Sequence, residues 1–322
     1  MAGWRERLWS RPGARAQQRG GIQSLAMTPD GRHVITGGGD GLLRIWRPAP
    51  WKLLGEIDTY ANVVKSVAVT PDGVRVVASG HGTVGVWNLW TGEPVTGPLD
   101  VHRYLGEWGI ALSVHAALTP DGRRIVTGGG EGKVHVLSLE SGIPAGRSIQ
   151  AHKLVAAVAV TPDGRKIVST GHEDGKDGVL RIWDLADGSP VGGPVTAHRC
   201  FVQGLAITPD GTRAVSGGVD GRLQFTELDG SGTTSGVDVA AHGETVAGIA
   251  VAPDSRIVSV GSGGVAHVWD PVTPPAQART FRTESRYLSA VVVSPDGRRF
   301  VTASRNTGVL QVWNMPPPAR GA

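Results

Sequence analysis

A Thr-Pro-Asp-Gly element, or a close variant of it, occurs seven times in this chain of 322 residues. Its prolines are Pro29, Pro71, Pro120, Pro162, Pro209, Pro253 and Pro295, spaced by 42, 49, 42, 47, 44 and 42 residues. The sixth copy reads Ala252-Pro253-Asp254-Ser255, and the seventh begins with Ser294. A period of this length means that each unit is one supersecondary element, unable to bury its apolar faces alone and stacked on its neighbours.

Each period reads as four short strands. An apolar run such as Val64-Lys65-Ser66-Val67-Ala68-Val69 precedes the proline, rich in the small and β-branched residues of a strand buried on both faces. Pro-Asp-Gly then supplies a turn, proline presetting φ and glycine accepting φ > 0. Arg32-His33-Val34-Ile35-Thr36 exemplifies the second strand, and Leu43-Arg44-Ile45-Trp46 the third after a glycine-rich turn. Connectors such as Gly92-Glu93-Pro94 introduce the fourth. Seven such sheets shield one another when arranged radially, which predicts an all-β, seven-bladed propeller of four-stranded antiparallel blades. A linear β-solenoid is the competing architecture, but its repeats are normally shorter, below roughly 30 residues.

The 48 glycines and 21 prolines would suggest low complexity if they were aperiodic. Here they punctuate a regular pattern. A single cysteine, Cys200, excludes an intramolecular disulfide and fits a reducing compartment. With no apolar run of about 18 residues and no secretory core, the expectation is a cytoplasmic protein without a membrane span. The pI of 9.5 belongs to one end of the chain. Residues 1–20 hold Arg5, Arg7, Arg11, Arg15 and Arg19 against Glu6, a net of +4 that equals the charge of the whole chain. The repeats are therefore neutral in sum, which disfavours nucleic acid as a partner.

The third strands carry a resemblance. Ile45-Trp46-Arg47, Val86-Trp87-Asn88, Ile182-Trp183-Asp184, Val268-Trp269-Asp270 and Val312-Trp313-Asn314 resemble the terminal Trp-Asp dipeptide of the WD-repeat β-propeller family, in the style of bacterial seven-repeat propellers. Val136-Leu137-Ser138 and Phe225-Thr226-Glu227 depart from it. The family's upstream Gly-His is similar to Val101-His102, Ala151-His152, Ala197-His198 and Ala241-His242. The resemblance covers roughly 12–316, leaving 1–11 as a basic N-terminal tail and 317–322 as a C-terminal tail.

Family membership implies a hydrogen-bonded tetrad of His, Ser or Thr, Asp and Trp in each complete repeat. Only the fourth repeat offers all four, from His152, Ser169, Asp174 or Asp177, and Trp183. It also implies that the N-terminal segment completes the last blade. The chain beyond Trp313 contains Pro316, Pro317 and Pro318, which cannot donate to a ladder, so residues 13–18 are expected to pair with 308–313.

Catalytic constellations are weak. Gly128-Gly129-Gly130-Glu131-Gly132-Lys133 lacks the phosphate-loop spacing and sits between strands. The turn aspartates are dispersed around the ring. His172-Glu173-Asp174 offers one imidazole and two carboxylates in a turn, a thin basis for a metal site. Cys200 follows His198 with no third group to orient a base, and reads as a buried thiol. The expectation is no catalytic residue, no cofactor and no metal.

The resemblance implies a protein-protein scaffold, sensor or adaptor that uses the loop face of the propeller, an effector subunit or enzyme encoded nearby being one partner of that kind. The alternative is a propeller that binds a peptide or small ligand in its central channel. Two insertions fall on the loop face in adjacent repeats, 103–110 and 171–178. They place Tyr104, Trp108, His172 and Glu173 among the candidate contacts. Positions that resemble the family's contact residues add Lys65, Phe201, Gln203 and Tyr287.

Overall fold

The computed structural model describes residues 14–48, 50–102, 115–146, 148–173, 176–234, 239–240, 242, 245–270 and 278–318. The N-terminal tail 1–11, Tyr104, Trp108 and Asp174 lie outside the described residues, as does the side chain of Asp177.

Seven four-stranded antiparallel sheets are present. Six are made of consecutive strands, and we number these blades 1 (22–58), 2 (66–100), 3 (115–150), 4 (154–196), 5 (202–240) and 6 (246–282). Blade 7 takes three strands from 288–314, and its fourth is Arg15–Gln17, from the other end of the chain. Arg15 lies opposite Gln311, Ala16 opposite Leu310 and Gln17 opposite Val309. The first strand of each blade touches the first strand of the next, and that of blade 7 touches that of blade 1. The ring is a seven-bladed β-propeller with no helix among the described residues.

Burial follows from this arrangement. The core is divided into seven apolar clusters, each bridging two adjacent blades. Ile35, Leu43 and Ile57 of blade 1 meet Val76 and Trp87 of blade 2. Val301, Leu310 and Val312 of blade 7 meet Ile22, Val34 and Trp46 of blade 1. No blade has a core of its own, so hydrophobic stabilisation is a property of neighbours.

The repeated turn explains its own sequence. Thr28 Oγ1 donates to Asp30 Oδ1 at 2.6 Å, and the Arg32 N–H donates to the same oxygen at 2.9 Å. The His33 N–H donates in turn to Thr28 Oγ1 at 3.0 Å. Gly31 closes the turn at φ 69°, with its N–H on the Thr28 carbonyl at 2.8 Å. Thr70, Thr119, Thr161, Thr208 and Ser294 repeat the hydroxyl–carboxylate bond. In blade 6 Ala252 offers no hydroxyl, and Ser255 holds the left-handed position at φ 68°. These aspartates are turn residues, and their hydroxyl and backbone donors hold carboxyls such as Asp72 and Asp163 below the ordinary carboxylate range.

Candidate functional site

The first strands start beside a common axis, so the residues at their starts share one space. Lys65 precedes the first strand of blade 2, Phe201 that of blade 5 and Tyr287 that of blade 7, while Gln203 lies within the strand Val202–Ile207. All four line a single cavity of about 650 Å³ at the mouth of the channel. Phe201 and Tyr287 remain 46% and 49% exposed, unusual for aromatic rings, so they stand at the rim rather than in the core. His172 stacks on Phe201, with ring centroids 5.9 Å apart and planes 29° apart.

The mouth is cationic. Arg305 and His115 line it together with Lys65, and no carboxylate does so among the described residues. Burial, then the neighbouring Arg305 guanidinium, hold the Lys65 ammonium below its usual range. Loss of solvation in the channel, then the Lys65 charge, push the His115 imidazole down to about 4, so it is neutral at pH 7. Arg305 and His115 were invisible in the repeat pattern. Arg305 belongs to a turn of variable sequence, and His115 stands five residues before its turn proline, where other repeats carry Ser24, Ser66 or Gly204 and so give no signal of a charged or aromatic contact.

Glu173 points elsewhere. In blade 4 the Trp183 indole N–H donates to Ser169 Oγ at 2.9 Å, and Ser169 Oγ shares a hydrogen bond of 2.9 Å with His152 Nε2. Glu173 Oε1 stands 3.4 Å from His152 Nδ1 and accepts from Arg181 Nε at 2.6 Å. Glu173, expected on the docking surface, thus faces the buried histidine of the tetrad, while Asp174 and the side chain of Asp177, the expected acids, lie outside the described residues. The reason is register: the paired strands extend through the insertion to Glu173↔Lys176, which keeps Glu173 over the buried histidine.

The other blades build partial versions. In blade 3, His102 bonds Thr127 Oγ1 at 3.2 Å and Glu131 at 3.1 Å, and Leu137 replaces the tryptophan. In blade 5, His198 joins Ser216 at 2.9 Å and Asp220 at 3.2 Å, with Thr226 in the tryptophan position. In blade 6, Ser259 receives Trp269 and pairs with His242, both at 2.9 Å. In blade 1, Gln18 replaces the histidine and accepts from Thr36 Oγ1 at 2.5 Å. The histidines are buried within these sets, and burial pushes His152 and His242 down to about 4. Neutral imidazoles locked to strand hydroxyls are structural groups. Cys200 is half-buried rather than buried, and burial together with the Asp220 carboxylate pushes its thiol up, away from the nucleophilic thiolate.

No helix among the described residues is long and apolar enough to cross a membrane. The family model described as "WD domain, G-beta repeat" matches residues 14–47, 51–88, 145–184, 190–225 and 234–270. Each matched stretch begins at or just before the outer strand of one blade and ends with the third strand of the next, so the sequence repeat straddles two blades. Blades 3 and 7 are the ones whose inner three strands no match covers, and blade 3 is the one with Leu137 in place of tryptophan. Among similar proteins, actin-interacting protein 1-2 of Arabidopsis thaliana is 32% identical over 120 residues, 37% of this chain and 20% of that protein. Apoptotic protease-activating factor 1 of Rattus norvegicus is 24% identical over 296 residues, 91% of this chain and 19% of that protein. Protein groucho of Drosophila melanogaster is 26% identical over 147 residues, 44% of this chain and 20% of that protein. The chain spans about a fifth of the length of these relatives. Seven blades, the hydroxyl–aspartate turns and the histidine–hydroxyl–tryptophan bonds agree with the matched repeats: the chain belongs to the WD40 repeat family.

Proposed function

We propose that this propeller is a non-catalytic scaffold or adaptor that docks a partner protein on the channel-mouth face. The observation that carries the reading is the pair of exposed rings, Phe201 and Tyr287, on the rim of the cavity that Lys65 and Gln203 also line. Rigid aromatic anchors beside adaptable polar groups are the usual composition of energetic centres in interfaces, where truncating one such anchor costs about 2 kcal/mol or more. Lys65 and Arg305, unopposed by carboxylates among the described lining residues, suit a partner that presents an acidic segment. His172 extends this surface through its stack on Phe201. Tyr104 and Trp108, outside the described residues, belong to the same proposal by their place in the sequence between His102 and the first strand of blade 3. The relatives support a scaffold reading, one of them being named for its interaction with actin.

The test compares partner capture by the intact chain and by the F201A/Y287A double variant, with mass spectrometry of the retained material. The expected result is a protein retained by the parent and lost from the variant, at unchanged melting temperature. Equal capture by both would dismiss the face. A small molecule retained in place of a protein would transfer the channel to the ligand-binding reading.

A further inference from the structure

Blade 3 carries an arrangement that no other blade repeats among the described residues. The residue opposite the strand hydroxyl on the third strand is Arg44 in blade 1, Arg181 in blade 4 and Gln224 in blade 5. In blades 1 and 4 the acid is neutralised by that arginine, Asp40 by Arg44 at 2.7 Å and Glu173 by Arg181 at 2.6 Å, while in blade 5 Asp220 meets the single imidazole of His198 at 3.2 Å. In blade 3 the same position is His135, opposite Thr127. Glu131 Oε1 therefore lies between two imidazoles, 3.1 Å from His102 Nδ1 and 2.7 Å from His135 Nε2. Blade 6 also places a histidine there, His267 opposite Ser259, with its ring 4.6 Å from that of His242, but no acid joins the pair among the described residues.

We propose that His102 Nδ1, Glu131 Oε1 and His135 Nε2 form a binding site for a zinc-type divalent cation. The three ligand atoms lie within 4.8 Å of one another, and they are the one such convergence among the described residues. Bonds of about 2.0–2.1 Å in a tetrahedral zinc site put neighbouring ligand atoms roughly 3.3 Å apart, so the His102–Glu131 pair at 3.1 Å already fits, the Glu131–His135 pair at 2.7 Å opens by about 0.6 Å, and the two imidazole nitrogens, within 4.8 Å, close by at most about 1.5 Å through side-chain rotation. Two imidazoles and one carboxylate are a donor set that suits zinc and its first-row neighbours better than magnesium or calcium.

The surroundings favour the required tautomer. A ligating histidine normally donates its other ring N–H to a neighbouring acceptor. His102 Nε2 lies 3.2 Å from Thr127 Oγ1. In blade 4 the equivalent Ser169 hydroxyl already accepts from the Trp183 indole. Leu137 replaces that indole in blade 3, so Thr127 is free to accept from His102 Nε2–H, which leaves the Nδ1 lone pair for the metal. The His102 side chain is 1% exposed, while those of Glu131 and His135 are 23% and 18% exposed. An ion thus has an entry path past the latter two and a fourth position for water or a partner's side chain. It would tie the loop entering blade 3 to the turn and third strand of that blade, a structural role that is independent of the docking face proposed above.

The other blades supply the control variants. His135→Arg recreates the acid–arginine pair of blades 1 and 4, and His102→Gln recreates the Gln18–Thr36 bond of blade 1, so both substitutions have a folded precedent in this chain. The full chain, stripped with a chelator, is titrated with Zn²⁺ by calorimetry and with Co²⁺ by visible absorption. One ion per chain, the intense absorption of tetrahedral Co²⁺ and a zinc-dependent rise in melting temperature are expected. H135R, still folded by circular dichroism, should lose at least the about 10–100-fold in affinity that removal of even an outer-shell partner costs. H102Q is the second measurement should H135R fold poorly. Absence of stoichiometric binding to the parent, or undiminished binding by the folded variants, overturns the proposal.

Discussion

Val155 at the start of blade 4 fills the space that a side chain on Gly128 of blade 3 would need: a Cβ on Gly128 would lie 2.4 Å from Val155 Cγ1 and 2.8 Å from Val158 Cγ1. Gly37 meets Val64 and Gly217 meets Val246 in the same way, at 2.6 and 2.5 Å. A glycine in the second strand of one blade thus receives a valine from the next. Gly128→Val should overpack that seam and cost about 1–3 kcal/mol. Gly97, with nothing within 4 Å of its would-be Cβ, is the comparison, and Gly97→Ala should be neutral or slightly stabilising. Urea unfolding of the two variants checks the difference.

Removal of residues 1–19 should destabilise the ring from both sides of its closure. It takes away the strand Arg15–Gln17, the Arg15–Glu284 ion pair and the bond from Trp51 Nε1 to the Ala14 carbonyl at 3.2 Å. It also strands the buried Thr36 hydroxyl that now donates to Gln18. That last loss alone costs about 1–3 kcal/mol, so a fall of at least about 2 kcal/mol is expected in denaturant unfolding. Unchanged stability would show that the pairing with Val309–Asn314 contributes nothing.

Ser169 and Ser216 occupy equivalent positions with different burdens. Ser169 serves both His152 and Trp183, whereas Ser216 serves His198 alone, because Thr226 stands in the tryptophan position and brings no indole N–H. Each buried polar group left unsatisfied costs about 1–3 kcal/mol. Ser169→Ala should therefore be roughly twice as destabilising as Ser216→Ala. Equal losses in parallel unfolding curves would mean that the indole bond contributes little.

Acid should weaken the fold through the buried histidines. His242 faces Ser259 and His267, and burial pushes it down to about 4; His152 faces Ser169, Glu173 and Arg181, and burial takes it to about 4 as well. Their unfolded counterparts titrate at the ordinary histidine value of about 6.5. The unfolded chain therefore binds protons first as pH falls. The contribution of these groups is complete above pH 6.5 and is lost between 6.5 and 4, at about 1.4 kcal/mol per pH unit for each histidine. Unfolding midpoints at pH 7, 5.5 and 4.5 should fall accordingly, and His242→Gln should flatten the decline. A variant with the parent's slope would rule out His242 as a contributor.

What the sequence determined by itself was the periodic part. Seven Pro-Asp turns, six of them closed by glycine, fixed the number of blades, since proline and glycine set backbone angles locally and a turn needs no distant partner. The hydroxyl before six of the seven turn prolines and the tryptophan of most third strands were legible for the same reason. Lys65, Phe201, Gln203 and Tyr287 could be named because they stand at constant offsets from those prolines, and the closed ring brings them to one channel mouth. The tertiary structure alone decided which acid faces which histidine. Glu173 reaches His152 because the strand pairing continues through the insertion, and pairing register is a property of two segments, not one. His102, Glu131 and His135 converge only when a loop, a turn and a third strand fold onto one another. Arg305 and His115 joined the channel mouth for a similar reason: a side chain's exposure and charge environment depend on neighbours that are remote in sequence, on which a repeat pattern carries no information.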